Sequence, residues 1–521
     1  MKMLGHWQYD VMQAKTQHAL TSSEVNNGSL FKFPFKYSLQ TFLEKKNIAL
    51  AAMLALSLGS ASLAQAAETT PNLSPEQKQL RAVYQELVEI NTTNSVGSCT
   101  KAAQAMAARL KSAGYSDKEV QVLVPPKGPQ KGNLVARFSA NAGSGGASKR
   151  PLLLLAHIDV VEAKREDWVR DPFKLIEEKG LFYARGASDD KAMAAIFVAN
   201  MMQYKQEKLK TKRDLILALT CDEELIPSDF NGVEFLLKHH RPLIDAEFAL
   251  NEGGSGLMDK NGKPIRNGLQ AGEKTFQTFQ LEITNSGGHS SQPRKDNAIY
   301  RLSDALSRLG KFDFPFRLIP TTRAYFETMA EIEGGQIGAD MKAILREPVD
   351  QEALARFSAS SPFNNASVRT TCVATMVNAG HASNALPQRA QAMVNCRILP
   401  GETVEQTQAT LTNVIADKDI KITALGVATV PPVPSLETEV VKHARAITQE
   451  MWPGTPLLPT LSPGGTDGRF LNTVGIPTYG ISGMFHYPEG ANAHGLNEKL
   501  PVKSLYEGQK FLNELTKRIA Q

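Results

Sequence analysis

The sequence lacks the patterns typical of several common protein classes. Its four cysteines form no Cys-x-x-Cys pair, which argues against a structural zinc knuckle. No basic stripe with interleaved aromatic residues occurs and the net charge is only +5, so we expect no nucleic-acid partner. The glycine-rich stretch 141–148 is not followed by Gly-Lys-Ser/Thr, so we predict a surface loop there and not a phosphate cradle.

What the chain does contain is the composition of an ordinary globular protein. Hydrophobic residues make up 42% and charged residues 21% of its 521 residues, and this length predicts two or three domains. Strands and helices alternate through residue 254, which predicts an α/β fold with a doubly wound mixed sheet. Residues 275–284 alternate in the manner of a half-exposed antiparallel strand, which predicts a change of architecture.

A secretory signal peptide is predicted near the N-terminus. Residues 45–67 combine a Lys-Lys pair, a short apolar core and an Ala-Gln-Ala ending at Ala66. We expect cleavage after Ala66 and a periplasmic or secreted protein with no stable membrane anchor. The alternative is an anchor, but the strongly apolar core is shorter than the ~20 residues that a span needs. The preceding 44 residues do not resemble a normal n-region, which suggests a translation start downstream of Met1.

The polar residues of greatest interest follow buried strands. Four leucines and an alanine precede His157, which predicts a strand buried on both faces, as in a parallel sheet. His157 and Asp159 then point to one side at the carboxyl edge of the sheet, where such folds bind ligands. A carboxylate often orients a metal-binding histidine. The plainer alternative is a strand that ends in a polar turn.

Further apolar segments lead into carboxylates at the same edge: Asp189 and Asp190, Glu223 and Glu224, and Glu252. An acidic pair before a helix can be a simple cap. Carboxylates that converge repel one another, however, and a cation would relieve that repulsion. Carboxylates with imidazole suit Zn²⁺, Mn²⁺ or Co²⁺, and His494 near the C-terminus is the remaining candidate ligand.

The motifs, in chain order, are His157-x-Asp159, Gly186-Ala-Ser-Asp189-Asp190-Lys191, Glu223-Glu224, Asn251-Glu252-Gly-Gly and His494-Gly-x-Asn-Glu. Together this series resembles metallopeptidase family 20, the di-zinc family of aminoacylase, glutamate carboxypeptidase, Gly-X carboxypeptidase and succinyl-diaminopimelate desuccinylase. The resemblance covers nearly the whole chain after residue 70. Each motif alone is weak, but five in the family's order and approximate spacing are a specific signal.

The resemblance implies two Zn²⁺ ions per chain, with Co²⁺ or Mn²⁺ as substitutes, and it implies a role for each residue. The metal ligands would be Asp189 as the bridge, His157 and Glu252 at one ion, and Glu224 and His494 at the other. Glu223 would be the general base that takes a proton from the metal-bridging water, and Asp159 would orient His157. A cis peptide is also implied between Asp189 and Asp190.

The resemblance also implies that a lid interrupts the catalytic domain. The predicted division is an N-terminal extension with the signal peptide at 1–66, a first catalytic segment at 67–273, an inserted α+β lid and dimerisation domain at 274–432, and a second catalytic segment at 433–521. We interpret residues 312–366 as an elaboration within the lid. A homodimer through the lid is an implied partner.

Five residues match the family's substrate-contacting positions: His289, Asn384, Arg397, Gly465 and Thr466. His289 resembles the lid histidine that stabilises the oxyanion in a partner's site, and its alternative is a turn residue. Asn384 and Arg397 would hold substrate, with a salt bridge inside the lid as the alternative for Arg397. Gly465 and Thr466 would present donors to the substrate carboxylate.

The cysteines allow disulfides if the protein is exported. Cys372 and Cys396 lie on lid strands that could be neighbours, so a bridge between them is one possibility. Cys221 follows an apolar strand, and we predict that it is a small core residue.

The expected function is hydrolysis of an amide bond beside a free carboxylate, as in carboxypeptidases and aminoacylases acting on short peptides or N-acyl amino acids. Glu252 supports this, because at that position family aminopeptidases and dipeptidases tend to carry Asp. The alternatives are a metal-dependent dipeptidase and a non-catalytic protein that binds peptide or metal.

Overall fold

The computed structural model describes residues 73–140, 147–225 and 228–521. The predicted signal peptide, its cleavage site and most of the predicted glycine-rich loop lie outside these residues. The helices are α1 (Pro75–Glu89), α2 (Cys99–Ser112), α3 (Lys191–Gln206), α4 (Gly232–His239), α5 (Arg241–Ile244), α6 (Ala298–Gly310), α7 (Pro320–Glu333), α8 (Gly335–Ile344), α9 (Gln351–Ser360), α10 (Pro362–Ser367), α11 (Val404–Ile415), α12 (Glu439–Met451), α13 (Gly468–Thr473) and α14 (Val502–Ala520).

The strands form one large sheet and three smaller ones. They are β1 (Val120–Leu123), β2 (Asn133–Phe138), β3 (Leu152–His157), β4 (Ile176–Glu178), β5 (Leu181–Tyr183), β6 (Leu215–Thr220), β7 (Phe248–Asn251), β8 (Gly256–Met258), β9 (Pro264–Glu273), β10 (Thr275–Thr284), β11 (Gly288–His289), β12 (Thr371–Ala379), β13 (Ala385–Leu386), β14 (Arg389–Ile398), β15 (Lys421–Leu425), β16 (Leu457–Ser462), β17 (Thr478–Gly480), β18 (Phe485–His486) and β19 (Lys499–Pro501).

The main sheet is mixed. Its strand order is β1-β2-β6-β3-β7-β17-β9-β8-β18, and β16 pairs with β9. β3 is parallel to both of its neighbours, β6 and β7, whereas β2 is antiparallel to β6. Leu152 and Leu154 of β3 face one apolar core, and Leu153 and Leu155 face another on the opposite side. Both faces of the sheet are therefore covered, and the predicted α/β class with a doubly wound mixed sheet is confirmed.

The lid residues form a second sheet in the antiparallel order β12-β14-β10-β15. In β10 the residues Phe279, Leu281 and Ile283 are buried against α6 and α11, and the residues between them are more exposed. This matches the alternation that the sequence predicts for an inserted α+β segment. The exact domain boundaries at 273 and 432 stay predictions.

The segment interpreted as an elaboration of the lid consists mainly of helices, α7 to α10. Phe326, Met329, Ile344 and Phe357 give it a core of its own. That core also includes Leu458 of β16, so this helical segment packs against the main sheet, and its assignment to the lid stays a prediction. No helix within the described part of the chain is long and apolar enough to cross a bilayer.

Candidate active site

Parallel pairing brings the ends of three strands to one edge of the main sheet. His157 at the end of β3 pairs with Thr220 at the end of β6, and Leu154 pairs with Leu250 of β7. The residues that follow β6 and β7 therefore lie beside His157. The structure brings the segments around residues 157, 223 and 252 together, as the sequence predicts.

The His157 ring is held on both sides. Its Nδ1 lies 3.1 Å from the backbone carbonyl oxygen of Asp159 and 3.6 Å from the carboxylate of Asp159. Its Nε2 is therefore directed into the site, 3.0 Å from Asp189 and 3.8 Å from Glu252. The Asp159 carboxylate also accepts the backbone N–H groups of Glu223 and Glu224, at 3.2 and 3.1 Å. Asp159 thus ties β3 to the acidic loop after β6, a contact that the sequence did not predict.

Asp189 lies between two histidines. Its Oδ1 is 3.0 Å from His157 Nε2, and its Oδ2 is 3.2 Å from His494 Nε2. Glu224 approaches the same nitrogen of His494 at 2.8 Å. The peptide between Asp189 and Asp190 is cis, as the resemblance implied. One carboxylate with its two oxygens turned toward two separate histidines has the geometry of a bridge between two cations.

The donor atoms form two overlapping groups. Those of His157, Glu223 and Glu252 lie within 4.8 Å of one another, and so do those of His157, Asp189 and Glu224. Burial raises the pKa of Glu223 well above its usual range, and the charge of Glu252 adds to that rise. Hydrogen bonds to Asp189 and Glu224 raise the pKa of His494 to about 10. The site therefore has an excess of negative charge, and imidazole and carboxylate donors fit divalent zinc.

A carboxylate that sequence reasoning left without a role lies beneath Asp189. Glu498 is fully buried and accepts the backbone N–H groups of Ser188 and Asp189, at 2.7 and 2.9 Å. It closes the His-Gly-x-Asn-Glu motif, which was the only signal in the sequence that could have pointed to it.

A cavity of about 210 Å³ adjoins this site and is lined by several cations. Lys274, Arg397, Arg469 and Gly465 border it, and Arg469 lies 4.0 Å from Glu223. The Arg397 guanidinium stacks on Phe276 at 4.7 Å. Burial lowers the pKa of Arg397, and the charge of Arg469 lowers it further. Burial likewise lowers the pKa of Lys274 to about 7. Glu234 also borders the cavity, so the positive charge that would favour an anionic group comes from Arg397 and Arg469. The sequence indicated Arg397 and Gly465, but not Lys274 or Arg469.

Thr466 makes its hydrogen bonds within the protein, whereas the sequence suggested that it would contact substrate. Its backbone N–H donates to Glu273 at 2.9 Å, and its hydroxyl donates to the same carboxylate at 2.5 Å. The hydroxyl oxygen also accepts from Asn251 at 3.2 Å. In this arrangement Thr466 supports the loop, and Gly465 is the member of the pair that borders the cavity.

His289 and Asn384 lie together in a small ribbon of the lid. β11 pairs with β13, and Ser290 N–H donates to the Asn384 carbonyl at 3.1 Å. The backbone N–H of Ser291 donates to His289 Nδ1 at 3.2 Å. A neutral ring that accepts at Nδ1 carries its proton on Nε2, so His289 offers an exposed N–H donor. The hydrogen bonds of His289 within the described residues stay inside the lid.

The cysteine prediction requires one correction. Cys221 is not a free core residue but forms a disulfide with Cys99, with a Cα–Cα distance of 6.0 Å. The sequence separation of 122 residues hid this pairing, because it depends on how α2 packs against β2, the strand that pairs with β6. Cys372 and Cys396 also form a disulfide, between directly paired residues of β12 and β14.

The chain matches known proteins over most of its length. Residues 153–518 match the profile of Peptidase family M20/M25/M40. The chain is 30% identical over 376 residues to human "N-fatty-acyl-amino acid synthase/hydrolase PM20D1", covering 71% of this chain and 74% of that protein. It is 27% identical over 401 residues to "Probable carboxypeptidase S-like 2" of Dictyostelium discoideum, covering 74% and 75%. Its fold is similar to an M20 family metallo-carboxypeptidase from Sulfolobus solfataricus, with a TM-score of 0.61, 21% identity, and 85% and 99% coverage.

The fold and the histidine–carboxylate cluster define a metal-dependent hydrolase, and the zinc-dependent metallopeptidase class predicted from the sequence is confirmed. The chain belongs to peptidase family M20/M25/M40. This family includes carboxypeptidases, dipeptidases and acyl-amino acid hydrolases.

Proposed function

We propose that this protein is an exported di-zinc amidohydrolase that cleaves short peptides or N-acyl amino acids beside a free carboxylate. The observation that carries this proposal is the position of Asp189, whose two oxygens lie 3.0 and 3.2 Å from His157 and His494. Asp189, His157 and Glu252 would hold one ion, and Asp189, Glu224 and His494 the other.

When bound, the two ions would polarise the scissile carbonyl and lower the pKa of a water molecule toward neutrality. Glu223 takes the proton of the attacking water and passes it to the leaving amine. It suits this task because it is buried beside His157 and Glu252, and the proposed ligand sets leave it free to accept a proton. Asp159 keeps Glu223 in place through its backbone N–H and orients the His157 ring.

The substrate carboxylate binds in the cavity lined by Arg397, Lys274, Arg469 and Gly465. Arg397 suits carboxylate binding, because its planar guanidinium can donate two hydrogen bonds to one carboxylate. Within the lid this guanidinium stacks on the Phe276 ring, and it borders the cavity. A second cavity, of about 410 Å³, borders Asp189 and Glu252. Apolar side chains contribute to its lining, including Met193, Leu257 and Met484. Asp190, Arg266 and His486 also border this second cavity, so its lining is mixed and the substrate panel below decides between an acyl group and a free amine.

Export is supported by the two disulfides. Cys99–Cys221 and Cys372–Cys396 use all four cysteines of the chain, and such bonds persist in oxidising compartments. The signal-like residues 45–67 support the same conclusion. The proposed site of action is therefore the periplasm or the outside of the cell.

A homodimer through the lid is part of the proposal. β12 is an edge strand of the lid sheet, and Val373, Met376 and Val377 on it are more than half exposed. An edge strand can pair with the same strand of a second copy, which would cover these side chains. His289 of one copy would then donate its Nε2–H to the oxyanion in the other copy's site.

The test uses protein stripped of metal by a chelator and then titrated with Zn²⁺. Hydrolysis is followed on N-acyl amino acids, N-blocked dipeptides, free-amine dipeptides and the C-terminal amides of each. We expect activity to recover near two ions per chain, with blocked amines preferred and amides rejected. Cleavage of free-amine dipeptides only would move the assignment to a dipeptidase. Failure to cleave any of them at every zinc level would favour a non-catalytic binding protein.

A further inference from the structure

Two loops that carry proposed metal ligands leave the same pair of strands. β5 and β19 are antiparallel, with Tyr183 opposite Lys499. Beyond this ladder, one loop runs from β5 to Asp189, and the other brings His494 back to β19. The distance of 3.2 Å between Asp189 Oδ2 and His494 Nε2 therefore depends on how these two loops are held together.

An ion pair joins the loops. Arg185 Nη1 donates to Glu498 at 2.8 Å, and both side chains are almost completely buried. Arg185 Nη2 donates to the carbonyl of Gly495, the residue next to His494, at 2.9 Å. The Arg185 guanidinium also lies over the Trp168 ring at 5.1 Å. One arginine thus reaches from the Asp189 loop to two residues of the His494 loop, Gly495 and Glu498.

The Glu498 carboxylate completes the connection in the opposite direction. Its Oε1 accepts the backbone N–H groups of Ser188 and Asp189, and its Oε2 accepts that of Gly186 at 3.0 Å. A carboxylate that accepts hydrogen bonds from three N–H groups and an arginine has all of its acceptor positions filled. It orients the backbone that bears Asp189.

We propose that Arg185 and Glu498 form a clamp that sets the spacing between Asp189 and His494, and so determines the zinc affinity of the Glu224–His494 side of the centre. This inference rests on the proposed di-zinc function. Arg185 and Glu498 are positioning residues. His157 and Glu252 follow β3 and β7 in the chain and make no contact with the clamp, whereas Asp189 serves both ions. The clamp therefore holds two of the three ligands of the Glu224–His494 ion but only one ligand of the other ion, and its loss should weaken the first ion more.

The variant Glu498→Gln tests the clamp. We expect one zinc ion to bind about 10–100-fold more weakly, because groups that orient metal ligands have effects of this size. The other ion should be weakened less, because Asp189 is the only one of its proposed ligands that the clamp holds. The readout is zinc affinity and stoichiometry from competition with a chelating dye, together with kcat and KM. The drop should appear in kcat and be partly restored by excess zinc.

Removing one partner of a buried ion pair can prevent folding, so a second variant is needed. Arg185→Met/Glu498→Gln removes both charges of the pair, and it should fold and show the same larger loss of affinity at the Glu224–His494 ion. Arg213→Gln is the matched control, since Arg213 is also buried and paired, with Glu247 at 2.8 Å, on residues outside the site. Arg213→Gln should change the stability of the protein without changing its affinity for either zinc ion.

The outcomes separate this inference from the proposed function. Unchanged zinc affinities in both clamp variants would overturn the clamp while leaving the di-zinc hydrolase intact. Equal weakening of both ions, or the same zinc profile for Arg213→Gln, would also overturn it, since the effect would then be general destabilisation. An unaltered protein that binds no zinc and hydrolyses no substrate would instead refute the proposed function itself.

Discussion

A disulfide joins Cys99, the first residue of α2, to Cys221, which directly follows β6. Cys221 is followed by Asp222, Glu223 and Glu224, so the bond fastens the loop that carries the proposed general base and one metal ligand. Lys131 adds a second restraint, since its ammonium lies 2.6 Å from the Asp222 carboxylate. The disulfide therefore connects a helix of the outer layer directly to the catalytic loop.

Removing this bond should weaken both the fold and the site. We expect Cys99→Ala/Cys221→Ala to lower the free energy of unfolding by ~2–4 kcal/mol, because the bond closes a long loop. Zinc affinity should fall too, because the Glu223–Glu224 loop loses an anchor. The control is Cys372→Ala/Cys396→Ala, which opens the lid disulfide. Urea unfolding measures the stability of the two double variants, and zinc competition measures their zinc affinity. If both double variants lower zinc affinity equally, the expectation is contradicted.

Glu223→Gln should abolish catalysis without removing metal. We expect kcat to fall by about 10²–10⁴-fold, the range for loss of a general base, because an amide cannot accept the proton. Zinc stoichiometry measured on the same sample should be unchanged. An unaltered kcat would refute the proton-transfer role given to Glu223.

Arg397→Ala should raise KM for substrates with a free carboxylate. A hydrogen bond to a charged group contributes about 1.5–3 kcal/mol, so a rise of roughly 10–100-fold is expected. The small activity on C-terminal amides should not change, since they lack the charge. Arg389→Ala is the matched control, because Arg389 lies on the same strand but is exposed at its far end. If Arg397→Ala and Arg389→Ala change KM equally, the cavity that Arg397 borders does not bind the substrate carboxylate.

His289 should act across the dimer. The variants His289→Ala and Glu223→Gln are each expected to be inactive alone. When they are unfolded, mixed and refolded, each mixed dimer has one site with an intact Glu223 and the partner's intact His289. About a quarter of the sites should then recover activity, for random pairing of two chains. No recovery in mixtures shown by light scattering to be dimeric would mean that His289 acts within its own chain or not at all.

Glu273 should make the stability of the metal-free protein depend on pH. Burial raises its pKa to about 7, well above the usual value for glutamate of about 4.5. The folded state therefore binds the proton more tightly than the unfolded state does. This contribution is fully present below about pH 4.5 and is lost as the pH rises through about 7, with a total of about 3 kcal/mol.

Glu273→Gln removes the titration. Unfolding by urea in chelator, at a series of pH values from 4 to 8, should show a difference between the variant and the unaltered protein that grows in the variant's favour as the pH rises. A difference that stays constant over this range would contradict the raised pKa.

Local pattern was enough to predict much of the fold and to propose the metal donors. The run of leucines before His157 predicts a strand with both faces covered, and the structure confirms it. Ser74, Pro75 and Gln77 begin α1 with the capping box that their spacing requires. In each of these places the decisive interactions lie within a few residues of one another, or follow from periodicity alone.

Other features needed long-range packing. The sequence alone determined that His157, Asp189, Glu224, Glu252 and His494 are present in the order of an M20 hydrolase. Only the tertiary structure decided which oxygen of Asp189 meets which histidine, that Cys221 is bonded to Cys99, and that Arg185 reaches Glu498. The residues of that last pair are 313 positions apart, and no local periodicity encodes such a distance. Contacts of this kind depend on the packing of whole strands and helices, because burying a charge is costly unless a partner is held beside it, and a disulfide forms only where packing brings two cysteines together.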